Sequence, residues 1–122
     1  MSTRCIIIIR DRKPNGNVIK LFHRLDGYPK GVGKFLMDNV LPEINKPSFG
    51  VNEVANYLIK NKEDEDFLVT AKQHPDIEYR YFIFVDTKEI KCQQVKYKQV
   101  DNHFELEVLR RIDLKEELNL NK

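Results

Sequence analysis

An α+β fold, built on a mostly antiparallel sheet of five to six strands with two helices on one face, is what this sequence predicts. Three features predict it. An Asn-Gly pair separates two apolar runs, two helical repeats lie together in the middle, and alternating strands and turns fill the stretch from residue 67 to 108. At 122 residues the chain has the commonest size for one domain, and no linker or repeat divides it, so 1–122 is read as a single domain.

Residues 4–10 should form a strand buried on both faces, because Ile6, Ile7, Ile8 and Ile9 fill both parities. The segment Asp11 to Asn17 follows, and its Asn15-Gly16 pair suits the positive-φ positions of a type I′ hairpin turn. Residues 18–24 return as the partner strand. Ile19, Leu21 and His23 share one face, and Val18, Lys20, Phe22 and Arg24 the other. The chain breaks between Asp26 and Gly31. A helix is expected from about Val32 to Leu41, on the stripe Val32, Phe35, Leu36 and Val40. Pro42 disfavours helical angles at Leu41, so this helix should end or kink there. Beyond a second break at Pro47-Ser48-Phe49-Gly50, Val51, Val54, Ala55 and Leu58 repeat at helical spacing within 51–61.

The charged run Lys62 to Asp66 reads as a solvated connection, Phe67 to Ala71 as a short strand, and Gln73 to Asp76 as a turn. Residues 77–86 make the longest clear strand. Ile77, Tyr79, Tyr81, Ile83 and Val85 share one face, with Glu78, Arg80, Phe82, Phe84 and Asp86 on the other. A turn at Thr87-Lys88 leads into 89–99, where the apolar positions change parity from Ile90 and Cys92 to Val95 and Tyr97. A β-bulge at Gln93-Gln94 is the expected cause. After a turn at Asp101-Asn102, Phe104, Leu106 and Val108 alternate as a last strand, and 113–122 form a short charged helix or a frayed tail.

Composition narrows the function. Twenty-one basic and 19 acidic residues leave a formal charge of +2. That is no bulk field for a polyanion, so neither nucleic acid nor a membrane is an expected partner on composition. Cys5 and Cys92 sit in apolar runs and read as small buried hydrophobes; two cysteines make no disulfide framework. The run Cys5 to Ile9 is too short for a signal core or a membrane span, so the cytoplasm is the expected location. No cofactor is expected. His23, His74 and His103 form no i, i+4 pair, there is no Cys-x-x-Cys, and Glu63 to Asp66 lacks the glycine of a calcium loop, so no metal site is expected either.

The densest cluster of charge and glycine lies between the second strand and the first helix. Arg24, Asp26, Gly27, Tyr28, Lys30, Gly31, Gly33 and Lys34 are the candidate binding residues. Glycine lets another group approach the backbone, a helix start exposes N–H groups, and Arg24, Lys30 and Lys34 add positive charge. Such a loop could hold a protein partner or a small anionic molecule. Turn chemistry gives a plainer account, in which Asp26-Gly27 starts a turn and Gly31 with Gly33 permits tight packing. The segment fails as a nucleotide loop: G-x-x-x-x-G-K-[ST] needs glycine at position 28 and a hydroxyl at 35, where Tyr28 and Phe35 stand.

The opening Met1-Ser2-Thr3-Arg4-Cys5-Ile6, the hairpin, and Arg24-Leu25-Asp26-Gly27-Tyr28-Pro29-Lys30-Gly31-Val32-Gly33 together carry a resemblance. Over about its first third, the chain resembles a group of small uncharacterised proteins of bacteria, phages and large viruses. Members of that group begin with a Thr-Arg pair and carry Tyr-Arg-x-x-Asp-Gly-Tyr-Pro-x-Gly-x-Gly. Here His23 stands where the group usually has Tyr, and Leu25 where it often has an aromatic residue. The resemblance implies relatives and a working segment at 24–34, without implying a reaction.

Three functions compete on these residues. The leading one is a small binding module that uses the 24–34 loop. The second is a hydrolase or transferase with His23 as base and Asp26 as orienter, the two catalytic candidates. It lacks a G-x-S-x-G elbow and a local cysteine–histidine pair, which weighs against an enzyme. The third is nucleic-acid binding through the aromatic strand 78–85, by Tyr79, Tyr81 and Arg80. Rings of this kind fill cores more often than they stack on bases, and the two glycines of the RNA-recognition signature are missing. A long final hairpin with aromatics on both faces could also leave an apolar patch for a second copy, and two-fold dimers are the commonest solution.

Overall fold

The isoleucine run becomes the middle of the sheet. In the computed structural model, which describes residues 3–13, 16–47, 49–60 and 67–119, β1 (Cys5–Arg10) lies between β2 (Val18–His23) and β4 (Tyr79–Phe84). β1 pairs antiparallel with β2 and parallel with β4. β3 (Leu68–Val69) extends the β2 side, and β5 (Glu89–Val100) and β6 (His103–Ile112) extend the other, giving the order β3-β2-β1-β4-β5-β6. The sheet is thus six-stranded and mostly antiparallel, as the sequence predicts. Asn15 of the hairpin turn, Ser48 and the run 61–66 lie outside the described residues.

Alternation decides what each face buries. Cys5, Ile7 and Ile9 join Leu21, Tyr81, Ile83, Cys92 and Ile112 under the helices. Ile6 and Ile8 point the opposite way and are covered by Ile77, Val95 and the half-buried Phe22, Phe82, Tyr97 and Leu106.

The first helical stretch departs from expectation at both ends. It begins at Pro29, not Val32, and runs through Pro42. Two π-wound turns, Pro29–Gly33 and Leu36–Val40, feed α1 (Leu41–Ile44). Leu41 keeps helical angles (φ −56°, ψ −45°), and its N–H donates to the Leu36 carbonyl five residues back. A π turn is wider than an α turn, which relieves the clash a proline ring makes with the carbonyl four residues earlier. Pro29 at the start has no N–H to leave orphaned. α2 (Val51–Lys60) buries Val51, Val54, Ala55 and Leu58, and Glu53 reaches back to accept from the Gly50 N–H at 2.9 Å. The C-terminal segment is ordered as α3 (Leu114–Glu117). Asp113 caps it, accepting from the N–H groups of Lys115 and Glu116.

The parity change in β5 has a different origin from the expected bulge at Gln93-Gln94. Gln94 opposes Arg110 and Val95 opposes Val108, so the extra residue is Leu109 on β6. β5 alternates regularly. Its even residues Ile90 and Cys92 pack under the helices, while Val95 and Tyr97 belong to the cluster on the opposite face. Apolar parity switches because the strand serves two cores in succession.

Among the described residues no helix is long and apolar enough to cross a membrane. Leu58 is wholly buried on α2. Its truncation to alanine should cost about 2–5 kcal/mol in urea denaturation. A loss below about 1 kcal/mol would show that the helix layer is not packed onto the sheet as described.

Candidate functional site

The 24–34 segment is built first around its glycines. A Cβ on Gly27 would lie 2.9 Å from the Cys5 Cβ and 2.9 Å from the Thr3 carbonyl oxygen. One on Gly31 would fall 2.2 Å from the Asp26 carbonyl oxygen. Asp26, not a glycine, takes the left-handed conformation (φ 54°), a region that short polar side chains tolerate better than most. The glycines therefore serve close approach within the protein. Gly27 donates to Thr3 at 2.9 Å, and its carbonyl accepts from the buried Tyr81 hydroxyl at 2.7 Å.

Two of the N–H groups at the helix start are engaged within the protein. Pro29 has none, Gly31 donates to the Tyr28 carbonyl at 2.9 Å, and Val32 donates to the Asp26 carbonyl at 2.8 Å. Lys34 pairs with Asp38 at 2.5 Å, one helical turn on. Arg24, Tyr28 and Lys30 are exposed, and Gly33 is buried against Leu114 and Tyr81. The Tyr28 hydroxyl donates to Asp26 at 3.3 Å, and that carboxylate raises the phenol above its ordinary pKa.

His23 is buried at the end of β2, its ring stacked on Phe67 at 4.4 Å. With Asp26, Gly31, Val32, Phe35 and Phe67 it lines a depression of about 170 Å³. The structure thus brings together the two catalytic candidates and Gly31, and leaves Arg24, Lys30 and Lys34 outside. Any anion entering the depression would meet the Asp26 carboxylate. Among the described residues, no three His, Cys, Asp or Glu side chains are grouped as metal ligands would be.

β4 alternates as the sequence predicts, and that alternation puts Tyr79 and Tyr81 on the face opposite Arg80. Tyr81 is fully buried under the helices, and burial pushes its hydroxyl pKa upward; Tyr79 is half-buried on the same side. A base cannot stack on a ring that the core covers, so the pair Tyr79 and Tyr81 forms no nucleic-acid platform. Arg80, Phe82 and Phe84 face the other way, where none of the described helices packs.

That second face has a regular layout. Lys20, Ile8, Phe82 and Lys91 stand in line across β2, β1, β4 and β5. Phe22, Ile6, Arg80, Gln93 and Arg111 form the next row, and Arg10, Phe84 and Glu89 the row on the other side. Phe82 and Phe84 stack at 5.6 Å, with the Arg80 guanidinium 4.9 Å over Phe82 and that of Arg12 4.2 Å over Phe84. Gln93 fixes Arg80 by accepting two bonds, at 3.0 and 2.6 Å. Phe22 lies under His74, ring centroids 4.1 Å apart.

Arg10, Arg12, Lys20, Arg80, Lys91 and Arg111 thus gather on one face. Three carboxylates stand near them: Glu89 within the rows, and Glu78 and Asp86 just beyond the two ends of β4, where Asp86 accepts from the Arg12 backbone N–H at 2.9 Å. Glu89 is already held by Arg12 at 3.0 Å and Lys91 at 3.4 Å, and hydrogen bonds from Thr87 and Arg12 keep its pKa below the ordinary value. The sequence holds the signal for this face in its period-two alternation. What it does not show is which side the helices would cover.

No family model, curated protein or solved structure matches the chain.

Two outcomes test this geometry. Gly31→Ala should cost about 1–3 kcal/mol or more in urea denaturation, because the new methyl meets fixed backbone. Gly33→Ala, whose nearest neighbour is the Leu114 methyl at 3.1 Å, should cost less. Equal losses would contradict the close approach at Gly31. The thiols supply the second test. Burial pushes the Cys92 pKa up to about 12 and that of Cys5 higher still. Neither should react with a disulfide reagent at about pH 8 until denaturant is added, and fast reaction of either in the native protein would refute its burial.

Proposed function

We propose that this protein binds single-stranded nucleic acid across the uncovered face of its sheet. The observation that carries the reading is the interleaving of Phe82 and Phe84 with Arg12, Arg80, Lys20 and Lys91 on a face that none of the described helices covers. Exposed rings on a sheet stack on unpaired bases, and surrounding cations neutralise phosphates. A guanidinium already lying over a ring can take a base on its other side. Duplex bases are stacked on each other and offer the rings nothing, so the platform suits single strands.

Charge separates this occupant from the alternatives. A second copy meeting the first face to face would bring two sets of six cations together, whereas a polyanion is attracted by each. The overall charge of +2 conceals the patch, because acidic residues elsewhere offset it. The middle row crosses four strands and spans roughly 14 Å, three strand spacings of about 4.8 Å, enough to seat several successive bases.

Fluorescence anisotropy with a labelled oligonucleotide of about twelve nucleotides tests the reading at low salt. Wild type should bind the single strand with a steep salt dependence and bind the matching duplex more weakly. Phe82→Ala should weaken single-strand binding by about 1–3 kcal/mol, and Arg80→Ala should weaken it as well. Circular dichroism confirms that each variant is folded. Equal affinity for duplex and single strand, or an unchanged constant for folded Phe82→Ala, would rule out stacking on this face.

A further inference from the structure

β6 does not accompany β5 to its beginning. The pairing starts at Cys92 with Ile112, and the chain then turns through Asp113 into α3, leaving Glu89, Ile90 and Lys91 without a β6 neighbour. A groove of about 840 Å³ opens at this gap. One wall carries side chains of the uncovered face: Phe82, Phe84, Lys91 and Arg111. The other carries Met37, Leu41 and Leu114 from beneath the sheet. The groove therefore wraps the edge of β5 and is continuous with the aromatic platform.

Resting on the reading of that platform as a single-strand site, we propose that the bound strand continues past Phe84 into this groove, where Lys88 and Lys115 hold its phosphates. Five cations line the groove: Arg12, Lys88, Lys91, Arg111 and Lys115. Its two carboxylates, Glu89 and Asp113, both have partners within the protein. Glu89 is held by Arg12 and Lys91, and Asp113 accepts the backbone N–H groups of Lys115 and Glu116 at 3.0 and 3.3 Å. Lys88 projects from the β4–β5 turn at φ 59°, its ammonium 3.3 and 3.4 Å from the carbonyl oxygens of Ile44 and Asn45. Those neutral acceptors orient the ammonium without cancelling its charge. An apolar wall beside a row of cations suits a chain that presents bases to one side and phosphates to the other.

The consequence is a dependence on length. A strand of about four nucleotides fills the platform alone, whereas one of about twelve reaches the groove. The test compares these two lengths of oligothymidylate by anisotropy, with wild type and with Lys88→Asn/Lys115→Glu. Asparagine tolerates the positive φ at position 88, and an acidic residue suits the first turn of α3, so the fold should survive. Lys115→Glu alone provides a second variant that leaves the turn untouched.

The double variant should bind the longer strand about tenfold more weakly, with the salt slope reduced by roughly 1.4, at about 0.7 per lost phosphate contact. Its affinity for the shorter strand should be unchanged. Lys115→Glu should show the same length-selective loss at smaller size. An equal loss at both lengths, or no loss at either, would overturn the groove extension while leaving the platform in place. Absence of binding by wild type at both lengths would overturn the two together.

Discussion

The buried hydrogen bond from Tyr81 to the Gly27 carbonyl joins the parts of the molecule on which the rest depends. Tyr81 stands on β4, in the central parallel pair with β1, and Gly27 stands at the turn that launches the helix layer. The bond needs two close approaches. Gly27 must press against Cys5 and Thr3, and Gly31 must fold over the Asp26 carbonyl, and at both places a side chain would intrude. Satisfying a phenol and a carbonyl inside the core avoids the desolvation cost of leaving either unpaired. It also commits Tyr81 to the helix side of the sheet. Alternation then sends Arg80 and Phe82 to the opposite side.

From that commitment come two dissimilar surfaces on one sheet. Beneath it, isoleucine, leucine and valine from strands and helices close the larger core. Above it, a thinner cluster around Ile6, Ile8 and Val95 supports rings that remain half-exposed, with arginines lying across them. The upper face is apolar enough to hold its shape and charged enough to stay wet. Its side chains are fixed mainly by one another, through Gln93 on Arg80 and Glu89 on Arg12, so the arrangement stands before any ligand arrives.

Much of this architecture was legible in the residues. The isoleucine run, the helical spacing of Val51, Val54, Ala55 and Leu58, and the alternation over 77–86 placed the central strands and α2, because burial imposes those periods. Three features escaped. The path through Pro42 depends on π winding, which no local pattern announces. The parity change in β5 reads in the residues as a bulge within that strand, since a single sequence cannot tell one strand serving two cores from a strand out of step. At 24–34 the close packing of Gly31 and Gly33 is already among the readings the residues offer, and the contacts at those glycines match it. The platform was visible only as the polar side of an aromatic strand. Recognising it required knowing which face the helices leave bare, and that is decided by contacts far apart in sequence.

The added residue at Leu109 bears on how the molecule behaves in company. β6 is the long edge strand opposite the two-residue β3, and exposed backbone along such a margin invites other chains to attach and propagate. An approaching strand that matched β6 from His103 to Val108 would fall out of step beyond Leu109, its remaining donors and acceptors no longer in line. A single irregular position thereby interrupts the uniform repeat that fibrous assembly requires, and the border of the sheet is protected without being covered.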